Sequence, residues 1–294
     1  MSSMNNKNVS RRHVMKAGLA ASASALAAPV VDASQLHANI LPKAKGETKI
    51  VFLGGDYLHN GLTQEFSLRG LFHHMLPEYR FIATSDARYV TADLLSDADL
   101  FIVVRWGGPI HVFCPEVLIE SRPPVLDGFM SGELEDLIVD NVENRGMGLM
   151  ALHCTCWNPE AEKFTSLMGI KAKMHGPVQN VKFHSFNQDH PITQGIDDFD
   201  LALDENFGVE LDDPGAIQLF ITTGVTDGRN EIAGWCTEKG KGRVVGIVAG
   251  HTWEPWWNTS LREMHWRGAH WAMNRAIPPF NPPDSVMPWA NSGY

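Results

Sequence analysis

Apolar runs and stretches of helical periodicity alternate over the first half of the chain, and that alternation sets its expected class. Lys49 to Leu53 is an apolar run closing on Gly54 and Gly55, a first strand and its loop. From Asn60 to Leu76, Leu62, Phe66, Leu68, Leu71, Phe72 and Met75 recur at helical spacing. Arg80 to Thr84 predicts a second strand, and Asp99 to Val104 a third that runs into Arg105, Trp106, Gly107 and Gly108. Residues 109–127 are a longer insertion. Ser131 to Val142 is an amphipathic helix with an N-capping serine and Glu133 and Glu135 near its positive end. Gly148 to Leu152 is apolar without alternation, which suits a strand buried on both faces. It stops at His153, and a helix is expected from about Glu160 to Met168.

The pattern then changes to strands: Val178–Phe186, Leu201–Leu203, Ile217–Thr222, Glu231–Cys236 and Arg243–Val248. Glycine turns at Asp227-Gly228 and from Lys239 to Gly242 separate the last of these, and a final helix is expected over Ser260–Arg275. The order predicts an α/β fold with a doubly wound, mainly parallel sheet and extra antiparallel strands in the C-terminal half. One domain over 48–277 is expected, followed by a proline-rich tail at 278–294.

The N-terminus adds a location. Arg11-Arg12 precede a mild apolar region from Ala17 to Val31, with small-residue cleavage patterns around Ala27 and Ala33. This resembles a twin-arginine export signal over residues 1–33, with 34–47 as a linker, and implies a periplasmic or other extracytoplasmic protein. Removing residues 1–33 takes away four basic residues (Lys7, Arg11, Arg12, Lys16) and one acidic residue (Asp32), which moves the formal charge from −10 to −13. So acidic a domain is a poor match for nucleic acid or an anionic membrane. Past residue 40 no apolar stretch approaches the roughly 18–20 residues of a membrane span. Pairing among Cys114, Cys154, Cys156 and Cys236 stays open, as does assembly into a homo-oligomer.

Candidate chemistry gathers at the strand ends. Tyr57-Leu58-His59-Asn60 follows the first strand, Arg105-Trp106 closes the third and His153 the fourth; Asp204-Glu205-Asn206-Phe207 and Gly250-His251-Thr252-Trp253 follow two later strands. If these strands are parallel, the five loops share one rim of the sheet, where ligands of such folds sit. His73, His74, His265 and His270 fall on helices, where structural roles are the rule; His111, His175 and His190 fall in loops and stay ambiguous. No zinc-protease, P-loop or dinucleotide motif occurs, and Leu152-His153-Cys154-Thr155 lacks the glycines of a strained nucleophile elbow. Cys154 is therefore disfavoured as a nucleophile.

Gly146 to His153, His190-Pro191-Ile192-Thr193-Gln194-Gly195-Ile196, Asp204 to Phe207, and Gly242-Arg243-Val244 leading to Gly250-His251 together resemble the ThuA-like (trehalose utilisation) family. The resemblance spans about residues 48–275. It implies a flavodoxin-like fold related to class I glutamine amidotransferases without the glutaminase cysteine, and action on a small carbohydrate such as a disaccharide or its 3-keto derivative. It also implies that His153, Glu205 and His251 line the pocket. His59 and Trp106 are added from strand-end position. Phe207, where the family often carries tyrosine, and the Cys154–Trp157 segment depart from the pattern.

These residues suit proton transfer beside a sugar carbonyl or at a glycosidic centre. His153 is the expected base or metal ligand, Glu205 its acid–base partner, and His59 and His251 polarising groups; Trp106, Asp204 and Trp253 are expected to contact substrate. A metal-assisted form would hold Zn²⁺ or another divalent ion on His59, His153, Glu205 and His251. The competing expectation is a periplasmic sugar-binding or accessory protein without turnover.

Overall fold

The computed structural model describes residues 42–281 apart from 57, 77, 107–129, 159 and 160. The expected export signal, most of the linker and tail, Tyr57, His111 and Cys114 lie outside the described residues. The end of the linker is tied to the domain: the backbone N–H of Lys43 donates to Asp97 (2.7 Å) and Glu47 pairs with Arg80 (2.8 Å).

Strand β1 (Thr48–Gly54) is buried along its whole length and leads to helix α1 (Gly61–Met75), which Asn60 caps by accepting from the N–H groups of Leu62 and Thr63. β2 (Tyr79–Thr84), the short α2 (Ala92–Leu95) and β3 (Leu100–Val104) follow. Helix α3 (Gly132–Asp140) starts at the Ser131 cap as expected, but its α-helical bonding stops at Asp140. A π-helical turn over Asn141–Arg145 then ends at Gly146 in the left-handed region, delivering the chain to β4 (Gly148–Leu152). A one-turn helix over His153–Cys156, helix α4 (Glu162–Met168) and β5 (Ile170–Ala172) complete the first half.

The second half is β6 (Val178–His184), β7 (Phe199–Glu205), β8 (Val209–Leu211), β9 (Ile217–Gly224), β10 (Asn230–Lys239), β11 (Gly242–Ile247) and α5 (Thr259–Ala272). β5 and β8, three residues each, were too short to show a period. Asp204 and Glu205 belong to the end of β7, not to a loop after it.

Among the described residues all eleven strands form one sheet, with the main order β2-β1-β3-β4-β11-β10-β9-β6-β7. The expectation of a mainly parallel sheet is corrected: four pairings are parallel and six antiparallel, so the α/β fold carries a large mixed sheet. The cause is loop length. Only two residues separate β10 from β11, and Gly240 supplies the positive φ (+58°) of their turn, a link that permits only an antiparallel pair.

Strand direction decides where the chemistry lands. β11 runs parallel to β4, and four antiparallel pairings then lead from β11 to β7. Four reversals restore the original direction, so β7 points the same way as β4. Their carboxyl ends share one edge of the sheet.

Candidate active site

His153 is the first residue past β4, and its backbone is left-handed, with φ +47°. For a non-glycine residue this costs about 1–3 kcal/mol and persists only where the surroundings impose it. Those surroundings are visible. The Thr155 hydroxyl donates to Val103 O (2.7 Å) and accepts from the N–H of Arg105 (3.1 Å), while His153 Nδ1 bonds Val248 O (2.8 Å). A side chain on Gly250 would meet Trp256 at 2.8 Å and the Cβ of His153 at 3.3 Å, so the loop after β11 approaches closely only because residue 250 is glycine. A strained turn therefore exists where the missing glycines had argued against one, but it centres on His153 rather than Cys154.

The Nδ1 bond to a carbonyl makes that nitrogen the protonated one, leaving the lone pair of His153 on Nε2. This Nε2 is buried without a hydrogen-bond partner. Burial first, then the neighbouring His59, holds His153 well below its usual pKa, so the ring is neutral.

His59 is fixed from the other side. Its Nδ1 lies 2.7 and 2.8 Å from the two oxygens of Asp56, which also accept from the N–H groups of Leu58 (2.8 Å), His59 (3.0 Å) and Trp106 (2.9 Å). Burial alone would raise the Asp56 carboxyl; the hydrogen bond and charge of His59, with those N–H donors, outweigh it and lower its pKa. Nε2 of His59 is then the nitrogen left for chemistry. The His59 ring centroid lies 4.8 Å from that of His153 and 5.3 Å from that of His251.

Glu205 arrives from β7. Its Oε2 lies 3.8 Å from His153 Nε2 and 3.3 Å from His251 Nδ1, and its Oε1 lies 3.2 Å from His175 Nδ1. Neither approach to His153 or His251 is a hydrogen bond, since both nitrogens are buried and unpartnered. Burial raises the Glu205 carboxyl to about 7 and lowers His251 to about 4, with His59 and His175 adding to the latter. His153 Nε2, with its lone pair, and His251 Nδ1 thus face the Glu205 carboxyl without a hydrogen bond to it. Among the described residues two overlapping groups have donor atoms within 4.8 Å of one another: His153, Glu205 and His251, and separately His59, His153 and Cys154.

A cavity of about 330 Å³ covers this cluster. Its polar lining residues are His59, Cys154, His175, Glu205 and His251, and its apolar ones Leu58, Trp106, Trp157, Met174 and Phe207. His153 lies just behind the lining, its ring against His59, His251 and Phe207, so it reaches the cavity only through its neighbours.

Two of the residues expected to contact substrate do not line this cavity. Asp204 is fully buried and absent from the lining; its carboxylate accepts from the N–H groups of Gly250 (3.1 Å) and His251 (2.9 Å), tying β7 to the loop after β11. Trp253 is 66% exposed and also absent from the lining, whereas Trp106 is part of it. His190 lies elsewhere, 3.4 Å from the thiol of Cys236. Cys154, Cys156 and Cys236 are buried free thiols. Burial, then the Asp56 charge, pushes the Cys154 thiol well above its usual pKa, which keeps it protonated and a poor nucleophile.

Sequence reasoning missed Asp56, Trp157 and His175 as members of the site. Asp56 was legible as the first polar residue after the glycines closing β1. His175 stood among the ambiguous loop histidines, and nothing local separates it from His190.

The arrangement defines an α/β protein with a histidine–carboxylate cluster at the carboxyl edge of a mixed sheet. The sequence pattern of the ThuA family, described as trehalose utilisation, matches residues 72–272, and the chain belongs to that family. A ThuA-like protein from Bacteroides uniformis superposes with a TM-score of 0.57 at 13% identity, covering 79% of this chain and 94% of that one. A β-galactosidase from Bacillus circulans (TM-score 0.52, 8% identity, 79% of this chain and 32% of that one) shares the fold. So does a protein described as a novel carbohydrate deacetylase (TM-score 0.51, 8% identity, 77% and 32%). In both, this chain spans about a third of the larger protein's length. Among curated proteins no sequence match is found.

Proposed function

We propose that this protein is a carbohydrate-active enzyme that moves a proton beside a sugar carbonyl, with a divalent metal ion held by His153, Glu205 and His251. The observation that carries this reading is the pair of buried, unpartnered ring nitrogens, His153 Nε2 and His251 Nδ1, facing Glu205 Oε2 at 3.8 and 3.3 Å. Two imidazoles and one carboxylate are a donor set that suits Zn²⁺ or a similar ion while keeping coordination positions open. Bound there, such an ion supplies Lewis-acid polarisation of a sugar oxygen.

The residues divide the remaining work. The bond from His153 Nδ1 to Val248 O orients one ligand, as partners behind metal-binding histidines generally do. His59, held on Asp56 through Nδ1, presents Nε2 as the nitrogen that exchanges the proton with the sugar. It thus takes the acid–base part expected of Glu205, and leaves the four-ligand set expected with it. Trp106 and Trp157 line the cavity, where an indole can pack against the C–H face of a sugar ring, and the family description supports a carbohydrate substrate.

The test is metal analysis of the purified protein together with turnover of a panel of disaccharides and 3-keto-disaccharides. About one equivalent of metal, lost in His153→Ala along with turnover, is the expected result. Turnover in fully metal-free protein would return the acid–base role to Glu205. A sugar that raises the melting temperature yet is recovered unchanged would mark a binding protein instead.

Two further readings belong here. The parallel half reads as doubly wound, supported by contacts of α1 with α5 and of α3 with α4, pairs that suit opposite faces of the sheet. Residues 1–33 read as an export signal; changing Arg11 and Arg12 to lysine should leave the precursor in the cytoplasm, and unchanged export would remove this assignment.

A further inference from the structure

His153 Nε2 belongs to two sets of converging donors. One is the set with Glu205 and His251 described above. The other, formed with His59 and Cys154, consists of three buried residues, and its donor atoms also lie within 4.8 Å of one another. Because Asp56 holds Nδ1 of His59, the nitrogen that His59 offers to this second set is Nε2. His59 and Cys154 both line the cavity, so an ion entering from it meets them directly. His153 Nε2, behind them, has no hydrogen bond to give up.

We propose that His59, His153 and Cys154 form an inner seat for a thiophilic cation such as Cd²⁺ or Cu⁺, alternative to the seat on His153, Glu205 and His251, and that filling it stops the enzyme. The seat stands on these three side chains; the inhibition rests on the enzyme reading above. Ligand chemistry separates the two seats. Two imidazoles and a carboxylate suit zinc-like ions, whereas a thiolate in place of the carboxylate shifts the preference towards soft ions. Tetrahedral donors about 2.0–2.3 Å from an ion lie roughly 3.3–3.8 Å apart, so closing a set that spans 4.8 Å takes movements of about 1 Å. As the ion binds, the S–H bond breaks, the sulfur electron pair forms the S–metal bond and the proton leaves to water. One oxygen of Asp56 lies 3.7 Å from Cys154 Sγ and places a further negative charge beside the cation. Burial and that carboxylate make a bare thiolate costly, and a bound cation offsets both.

The seats exclude each other, because one nitrogen lone pair cannot serve two ions. An ion on the inner seat also takes His59 Nε2, the nitrogen left for proton exchange. It therefore withdraws a ligand from the outer ion and the acid–base group from the substrate at once. The other described thiols lack such a setting. Cys156 donates to His153 O (2.7 Å), and Cys236 has a single histidine nitrogen beside it, that of His190 at 3.4 Å.

The experiment is titration of the metal-free intact protein with Cd²⁺, followed by the ultraviolet absorption of the Cd–thiolate bond. About one equivalent should raise the band in wild type, in Glu205→Gln and in Cys114→Ser, which removes the thiol outside the described residues. Cys154→Ser should lose it. His59→Gln should weaken Cd²⁺ binding at least ~10-fold, a test that holds even if Cys154→Ser does not fold. In zinc-loaded enzyme, turnover should fall in proportion as the band grows. Cd²⁺ bound without the band, and lost in Glu205→Gln, would overturn the inner seat while leaving the metal centre proposed above intact. A band kept in Cys154→Ser would overturn the inner seat as well. A growing band with undiminished turnover would overturn the inhibition. Absence of any Cd²⁺ binding would overturn both seats.

Discussion

Asp56 and His59 are three residues apart, and their pairing sets which His59 nitrogen is left for the proposed proton transfer. Asp56 fixes the His59 tautomer and also holds the N–H groups of Leu58 and Trp106. Asp56→Asn keeps the acceptor for the backbone but loses the charge and the certainty of tautomer. It should lower turnover by about 10²–10⁴-fold, the usual worth of a positioned acid–base group. Metal content should stay at the wild-type level, because Asp56 touches none of the three proposed ligands; turnover within a few-fold of wild type would remove His59 from the mechanism. His153 shows the limit of reading single residues. Its identity and its place at a strand end were visible, but its positive φ was not, because Val103, Val248 and Gly250, acting with Thr155 on its own turn, impose it from two other segments.

Among elements, the junction between β7 and the loop after β11 decides whether the site exists. Asp204 fastens it through Gly250 and His251, and Glu254 accepts from the N–H of Leu203 (3.1 Å). Asp204→Ala would leave buried N–H groups unpaired at a cost of about 1–3 kcal/mol each, and equilibrium urea unfolding should show a loss in that range. Asp204→Asn, which keeps an acceptor, should lose less; equal stability of Asp204→Ala and wild type would show that the junction does not depend on this residue.

Asp213, in the loop after β8, is an independent fastening. Its carboxyl is lowered to about 2, first by Lys239 and then by the N–H of Gly215 and the hydroxyl of Thr237. A depressed folded-state pKa contributes stability that is complete above the unfolded value of 3.8 and disappears as pH falls through about 2. Asp213→Asn should therefore flatten the fall in stability between those values, as followed by acid unfolding at fixed denaturant. Element types were largely legible from periodicity; pairing directions in the second half were only partly so, since the turn after β10 announces a hairpin while the route to β7 does not.

For the whole molecule, an ion that binds the folded chain and not the unfolded one adds RT ln(1 + [L]/Kd) to stability, about 4 kcal/mol at a thousandfold excess over Kd. Dialysis against a chelator should lower the melting temperature, and adding zinc should restore it in wild type but not in His153→Ala. An unchanged melting temperature after complete metal removal would contradict the proposed centre. Local pattern by itself determined the α/β class, the family and the residues His59, His153, Glu205 and His251 as a group to watch, because strand burial and strand ends are written in short stretches of chain. Tertiary structure decided what those residues face. Four strands stand between β4 and β7 in the sheet order, yet Glu205 reaches His153, because four reversals of direction and the Asp204 junction close the sheet's second half onto the first. The same closure buried Asp204, left Trp253 outside and brought in His175. Side-chain neighbours of that kind depend on segments about 50 to 100 residues apart, and no local preference encodes them.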